Sequence, residues 1–157
     1  MQFYHKIVLF MSKCRNFGIS ALFLSIMYNK LRNTCAFLRK IGYEIVCLPV
    51  DKKSVVSAQT LKNAITKDTR FVSVMLANNE IGTIEPIKES VSIAHQCGIL
   101  FRTDAVQAVG HIPVDVNDVG IDLLSASAHK FNGPKGIGFL YIREGVEIEH
   151  HLHGGGP

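Results

Sequence analysis

From Asn29 onward the hydrophobic and polar positions fall into orderly blocks, whereas residues 1–28 mix aromatics, methionines and lysines with no clean period of 2 or 3.6. Residues 30–41 carry Leu31, Cys35, Leu38 and Ile41 at helical spacing and meet Gly42 where a left-handed cap is wanted, which predicts a helix. Residues 43–50 form a β-rich run that ends at Pro49. Ser57 opens a second helix over 58–66, with Leu61, Ala64 and Ile65 on one face. Residues 70–77 are apolar apart from Arg70 and Ser73, a run that reads as a strand buried on both faces of a parallel sheet. Pro86 suits the first turn of a helix over 87–97 that closes at Gly98. Strands follow at 99–103, 121–126 and 137–142, with a short helical turn at 105–109 and a Gly-Pro-Lys-Gly turn before the last strand.

Strands alternating with helices of about ten residues predict an α/β fold, a mostly parallel sheet with flanking helices. No internal repeat or low-complexity tract interrupts it. Residues 1–28 stand apart as a leader, and residues 29–157 read as one domain that trails off in His153-Gly154-Gly155-Gly156-Pro157, a turn sequence rather than a domain finish.

Composition narrows the classes. The 157 residues are 47% hydrophobic and 19% charged, enough apolar surface for a real core. The net charge of +4 is uneven: residues 1–50 hold seven Lys or Arg against Glu44 alone, while 51–157 hold ten against twelve acids. A nucleic-acid binder places its basic patch on its functional face, yet here the basic half has no recognisable site. No nucleic-acid partner is expected. Cys14, Cys35, Cys47 and Cys97 are separated by 21, 12 and 50 residues, which supports neither a zinc ribbon nor a disulfide framework. Cys35 and Cys97 fall on apolar helix faces and Cys47 inside a strand, so all three read as core residues. Cys14 has basic neighbours in Lys13 and Arg15. Unpaired cysteines suit a reducing, cytoplasmic setting. The apolar run 17–27 is eleven residues long, against the roughly 20 that span a bilayer, and no cleavage site follows it. No membrane association is expected.

Ligands of open α/β sheets bind beyond the carboxyl ends of the strands. Those ends supply Asn78, Asn79 and Glu80, then Asp104 and Gln107, then Ser127, His129 and Lys130. A partly desolvated lysine forms a Schiff base with an aldehyde. A carboxylate beside a pyridinium nitrogen strengthens the ring as an electron sink. Asn79 and Gln107 suit a phenolate oxygen, and the Ser127 hydroxyl and His129 imidazole suit a phosphate. Each residue alone has a plainer reading: Asp104 as a helix cap, Lys130 as a surface lysine, Asn78-Asn79 as a turn. Their joint occurrence points to pyridoxal phosphate.

At these residues the chain resembles the cysteine desulfurase family, which includes the selenocysteine lyases, within the class V aminotransferase group. Residues 72–83 resemble the family's asparagine segment, 103–110 its aspartate–glutamine segment, 127–136 its Schiff-base lysine segment, and 153–156 the turn that follows. The resemblance implies the large domain of fold-type I pyridoxal phosphate transferases, incomplete here. It also implies a catalytic Lys130 that bonds the cofactor and shuttles protons. Asp104 is then placed on the pyridine nitrogen, Gln107 on the phenolate oxygen, Asn79 on the ring or the substrate carboxylate, and Ser127 and His129 on the phosphate; no metal is implied. Family members take sulfur from L-cysteine, give L-alanine and a persulfide, pass the sulfur to iron–sulfur cluster or tRNA-thiolation acceptors through a sulfur-acceptor or scaffold protein, and form homodimers.

Departures from the family pattern accompany the match. The N-terminal phosphate loop has no counterpart, the ring-stacking histidine falls at Tyr28, and Arg102 stands where a histidine is usual. The Gln-Glu-Arg stretch, the Arg/Thr segment and the sulfur-accepting cysteine lie beyond Pro157 in the family, and none of the four cysteines matches that nucleophile. The expectation is a truncated or inactive cysteine desulfurase-like chain. Its alternatives are a non-catalytic remnant that binds a full-length relative, or a fragment of a selenocysteine lyase or other class V transaminase.

Overall fold

The computed structural model describes residues 9–12 and 28–148. Cys14, the apolar run 17–27 and the turn 153–156 lie outside the described residues. The strands are β1 (Leu9–Ser12), β2 (Ile45–Val46), β3 (Thr69–Met75), β4 (Leu100–Asp104), β5 (Leu123–Ser127) and β6 (Gly138–Ile142). The helices are α1 (Tyr28–Lys40), α2 (Ala58–Ala64), α3 (Ile87–Gln96) and α4 (Val116–Val119). One sheet takes the order β2-β1-β3-β4-β5-β6. Strands β3, β4 and β5 pair in parallel, while β1 runs against both neighbours and β6 runs against β5. Four of the six strands, β2 to β5, therefore share one direction, which is the mixed, mostly parallel α/β sheet that the sequence predicts.

The central strands bury apolar residues on one face and a mixed polar and apolar set on the other. Val72, Ser73 and Val74 are successive buried residues of β3, and Val72 pairs with Phe101 and Val74 with Thr103 in the β3–β4 register. Helix α3 covers one face with Ile87, Ser90, Val91 and Ala94, a stripe at positions i, i+3, i+4 and i+7. Leu61 of α2 and Phe101, both at 0% exposure, join the same core. Full burial of such a side chain contributes about 1.5–3 kcal/mol, an upper bound for a realistic unfolded chain. Ser57 caps α2, its Oγ accepting from the Thr60 N–H at 3.0 Å.

Helix α1 packs elsewhere. Cys35, Leu38 and Ile45 form a separate small cluster with Tyr43, joining α1 to β2. The helix stops at Gly42, where the Tyr43 N–H donates to the Leu38 carbonyl at 3.0 Å and the Gly42 N–H to the Arg39 carbonyl at 3.1 Å. Ile41, expected on the buried face, falls just past the helix and is exposed.

Several expectations need correction. The β-rich run 43–50 pairs only at Ile45–Val46, so Cys47 lies beyond the ladder and is exposed rather than in the core. Cys97 is exposed as well, because it caps α3 after the buried stripe has ended at Ala94. Cys35 alone of the three is buried, and burial pushes its thiol above the ordinary value. Helix α4 has too few residues to show a period. Its start is set by Asp115, whose Oδ1 accepts from the Asn117 and Asp118 N–H groups at 2.9 and 3.0 Å. Strand β1, inside the stretch without a clean period, is likewise too short for alternation to appear, yet it sits between β2 and β3. The helical turn at 105–109 is present, with the Ala108 and Val109 N–H groups donating to the Ala105 carbonyl. Among the described residues no helix is long and apolar enough to cross a membrane.

Candidate active site

Parallel strands β3, β4 and β5 end on the same side of the sheet, and the expected site residues follow those ends. Met75 of β3 pairs with Asp104 of β4, and Asp104 pairs with Ser125 of β5. The Leu76 N–H donates to the Asp104 carbonyl at 2.8 Å, and the Ala105 N–H to the Ser125 carbonyl at 2.9 Å. These bonds carry the ladder past the last strand residue and fix where each following loop departs.

After β3 the chain turns through residues 78–83. Asn78 organises this turn: its Oδ1 accepts from the Glu80 and Ile81 N–H groups at 2.8 and 3.2 Å, and its own N–H donates to the Thr83 carbonyl at 2.9 Å. Asn79 is left exposed beside it. Asp104 closes β4 with its side chain 15% exposed. Its Oδ1 accepts from the Val106 N–H at 3.1 Å, the capping role, while its Oδ2 lies 3.7 Å from Arg102 Nη2. Gln107 is half-buried on the turn that follows.

Ser127 ends β5, and the next residues tighten into a 3-10 turn over Ala128–Lys130. Ser127 Oγ and His129 Nδ1 are 2.9 Å apart. Lys130 is half-buried at the end of the turn, and His129 is exposed. The Ala128 carbonyl accepts from the Phe131 and Gly133 N–H groups at 3.0 and 2.8 Å, folding the loop back on itself. A β-carbon at Gly133 would stand 2.7 Å from the Ala128 β-carbon, so only glycine closes this loop. Phe131 is anchored in turn by an edge-to-face contact with Phe139, centroids 6.4 Å apart. Lys130 thus projects from a segment held on both sides.

The structure brings Ser127 and His129 into direct contact. Asn79, Asp104, Gln107 and Lys130 share the same end of the sheet without hydrogen bonds or ion pairs to one another among the described residues. Sequence reasoning missed the polar network behind Asp104. Arg102 Nη1 donates to Ser73 Oγ at 3.1 Å, and Arg102 Nη2 to Ser125 Oγ at 2.5 Å, so the guanidinium ties β3, β4 and β5 together. The available signal was the i, i+2 spacing of Arg102 and Asp104 on a strand, which puts both side chains on one face. Burial lowers the Arg102 guanidinium from its ordinary value, and the neighbouring Asp104 opposes that shift. Among the described residues no group of three or more His, Cys, Asp or Glu side chains is placed to hold a metal ion.

A family model described as aminotransferase class-V matches residues 29–157. The chain is 56% identical over 131 residues to the cysteine desulfurase IscS of Clostridium botulinum, covering 83% of this chain and 33% of that protein. It is 54% identical over 141 residues to the IscS of Methanosarcina thermophila, covering 90% of this chain and 35% of the relative. Among solved structures, SspA in complex with cysteine superposes with a TM-score of 0.78 at 39% identity, over 83% of this chain and 38% of SspA. A NifS-like protein superposes with a TM-score of 0.77 at 40% identity, over 83% of this chain and 36% of its own. The chain therefore spans about a third of the length of the curated relatives it matches. With matches of this extent in both sequence and fold, the chain belongs to the class-V aminotransferase family, on the side of its cysteine desulfurases.

Proposed function

We propose that residues 29–157 form part of the large domain of a pyridoxal phosphate-dependent cysteine desulfurase, with L-cysteine as substrate. In that reaction L-cysteine and an acceptor thiol give L-alanine and a persulfide, and the sulfur passes to a further acceptor protein. The complex of the related SspA with cysteine supports the substrate class. A homodimer and a cytoplasmic setting belong to the same reading, and the free thiols of Cys35, Cys47 and Cys97 suit a reducing compartment.

The donor set fits the cofactor. Lys130 offers a primary amine for the aldehyde, Asp104 a carboxylate for the ring nitrogen, and Asn79 and Gln107 amides for the ring oxygen or the substrate. Ser127 and His129 suit the phosphate for a specific reason. If the Ser127 hydroxyl donates to Nδ1, the imidazole Nε2–H is free to face an anion; if Nδ1–H donates to Ser127 Oγ, the hydroxyl hydrogen is free instead. Either way the pair leaves one donor available for an anion. When bound, pyridoxal phosphate supplies an electron sink that loosens bonds at the substrate's α-carbon. Lys130 then serves as the amine that holds and releases protons at its Nζ.

The observation that carries this reading is Lys130, a half-buried residue set directly after the Ser127–His129 pair on the sheet end that also bears Asp104. An absorbance scan on adding pyridoxal phosphate tests it, with Lys130→Ala as control. A visible band present in the wild type and lost in the variant is expected. A band that does not depend on Lys130, or no band at all, overturns the reading.

A further inference from the structure

We propose that Arg102 is a positioning residue for Asp104: its guanidinium, anchored to both neighbouring strands, holds the Asp104 carboxylate in the orientation that meets the cofactor's ring nitrogen. The inference rests on the pyridoxal phosphate reading above. Arg102 and Asp104 are 12% and 15% exposed, so their charges face each other with little water between them. The separation of Arg102 Nη2 and Asp104 Oδ2, 3.7 Å, makes this an ion pair acting through charge. Shorter bonds to Ser73 Oγ and Ser125 Oγ hold the guanidinium itself. The carboxylate is thereby fixed from two sides, Oδ1 by the Val106 N–H and Oδ2 by the arginine.

A purely structural role explains this arrangement poorly. Taking a guanidinium out of water is costly, as its lowered affinity for its proton reflects. A buried ion pair is generally no more stable than well-packed apolar residues of the same volume. An apolar residue at position 102 would fill space but give up the bonds to the Ser73 and Ser125 hydroxyls. It would leave the Asp104 carboxylate restrained by the Val106 N–H alone, able to turn away from the ring.

The test compares binding of two probes to the full chain: pyridoxal phosphate, and its 1-deaza analogue, in which CH replaces the ring nitrogen. The ratio of the two affinities reads the contact between Asp104 and the ring nitrogen and cancels changes common to both probes. In the wild type pyridoxal phosphate is expected to bind about tenfold more tightly or better, as for a charge-assisted hydrogen bond. Asp104→Asn should collapse that preference. Arg102→Gln should collapse most of it, and Arg102→Lys, which keeps the charge, should restore part. A merely structural arginine would weaken both probes equally and leave the ratio standing, which overturns the inference while the cofactor reading survives. Absence of Lys130-dependent binding in the wild type overturns the cofactor reading, and this inference with it. If Arg102→Gln does not fold, Ser73→Ala and Ser125→Ala loosen the anchor one hydroxyl at a time. They should lower the ratio in the same direction, and an unchanged ratio in both counts against the proposal.

Discussion

Gly110 lies directly beneath Phe131, so close that a β-carbon at position 110 would stand 2.6 Å from the Phe131 β-carbon. The contact joins the segment that begins at Asp104 to the segment that carries Lys130. It therefore sets the spacing between the two charged groups of the candidate site. Gly110 also sits at φ +80, a conformation that side chains rarely adopt. Gly110→Ala should destabilise the fold by about 1–3 kcal/mol, through backbone strain and overpacking together. Gly136 is the matched control, at φ +84 with nothing within 4 Å. Gly136→Ala should cost clearly less, and the difference in urea midpoints at unchanged slope isolates the Phe131 clash.

Ser127 and His129 should behave as one unit toward the cofactor. Ser127→Ala and His129→Ala are each expected to weaken pyridoxal phosphate binding about tenfold. Because the two side chains share one hydrogen bond, the double variant should bind hardly worse than either single one, and a titration followed by absorbance measures the coupling. Fully additive losses would show that the pair does not act on a common group.

Asp122 is buried completely and gathers three partners. Its Oδ2 accepts from the Phe101 N–H at 2.6 Å and lies 2.9 Å from His95 Nε2, while its Oδ1 lies 2.5 Å from Arg143 Nη2, outside hydrogen-bond geometry. Arg143→Met strands a buried carboxylate with fewer partners and should cost about 1–3 kcal/mol. Lys88 and Asp118 form a pair at 2.7 Å, but both are more than half exposed. Lys88→Met should change stability by no more than about 0.5 kcal/mol. Denaturant melts of the two variants give the comparison.

Asp115 links stability to acid. Hydrogen bonds from the Asp118 and Asn117 N–H groups hold its carboxyl below the ordinary value of 3.8. A depressed carboxyl contributes stability that is present above the unfolded value and is lost as the pH falls through the folded one. Asp115→Asn keeps a capping side chain but cannot ionise. The wild type should be the more stable near neutrality, and the two melting temperatures should converge as the pH falls below the ordinary carboxyl value and through the depressed folded one.

Much of this fold was legible because its main elements obey one strong rule each. Strands β3 and β5 are largely apolar, so they stand out as runs, and α3 shows its stripe from Ile87 to Ala94. Short elements escaped, since the four residues of β1 or of α4 cannot display a period. Cys47 and Cys97 were misjudged for a related reason: composition marks a residue as apolar, but the end of a ladder or a helix decides whether anything packs on it. The candidate site divides the same way. Its proposed chemistry lies in residue identity and order, so Lys130, Asp104, Ser127 and His129 can be nominated from the sequence alone. The Arg102 network depends on strand register, which brings Ser73 and Ser125 alongside, and register appears only in three dimensions.

Strand β1 has a consequence for how the molecule opens. Because Leu9 pairs with Ser73 and Phe10 with Val46, β2 joins the hydrogen-bonded ladder, among the described residues, through a strand recruited from far upstream, while Val46 also packs against the main core. Release of Leu9–Ser12 would free β2 from the ladder and loosen α1 and the cluster around Cys35, while leaving the β3 to β6 ladder whole. The protein should therefore exchange its amide hydrogens in two tiers, a labile flap at one edge and a slow kernel around Phe101. The kernel is the part that holds Asp104 and Lys130, so the edge can breathe without disturbing them.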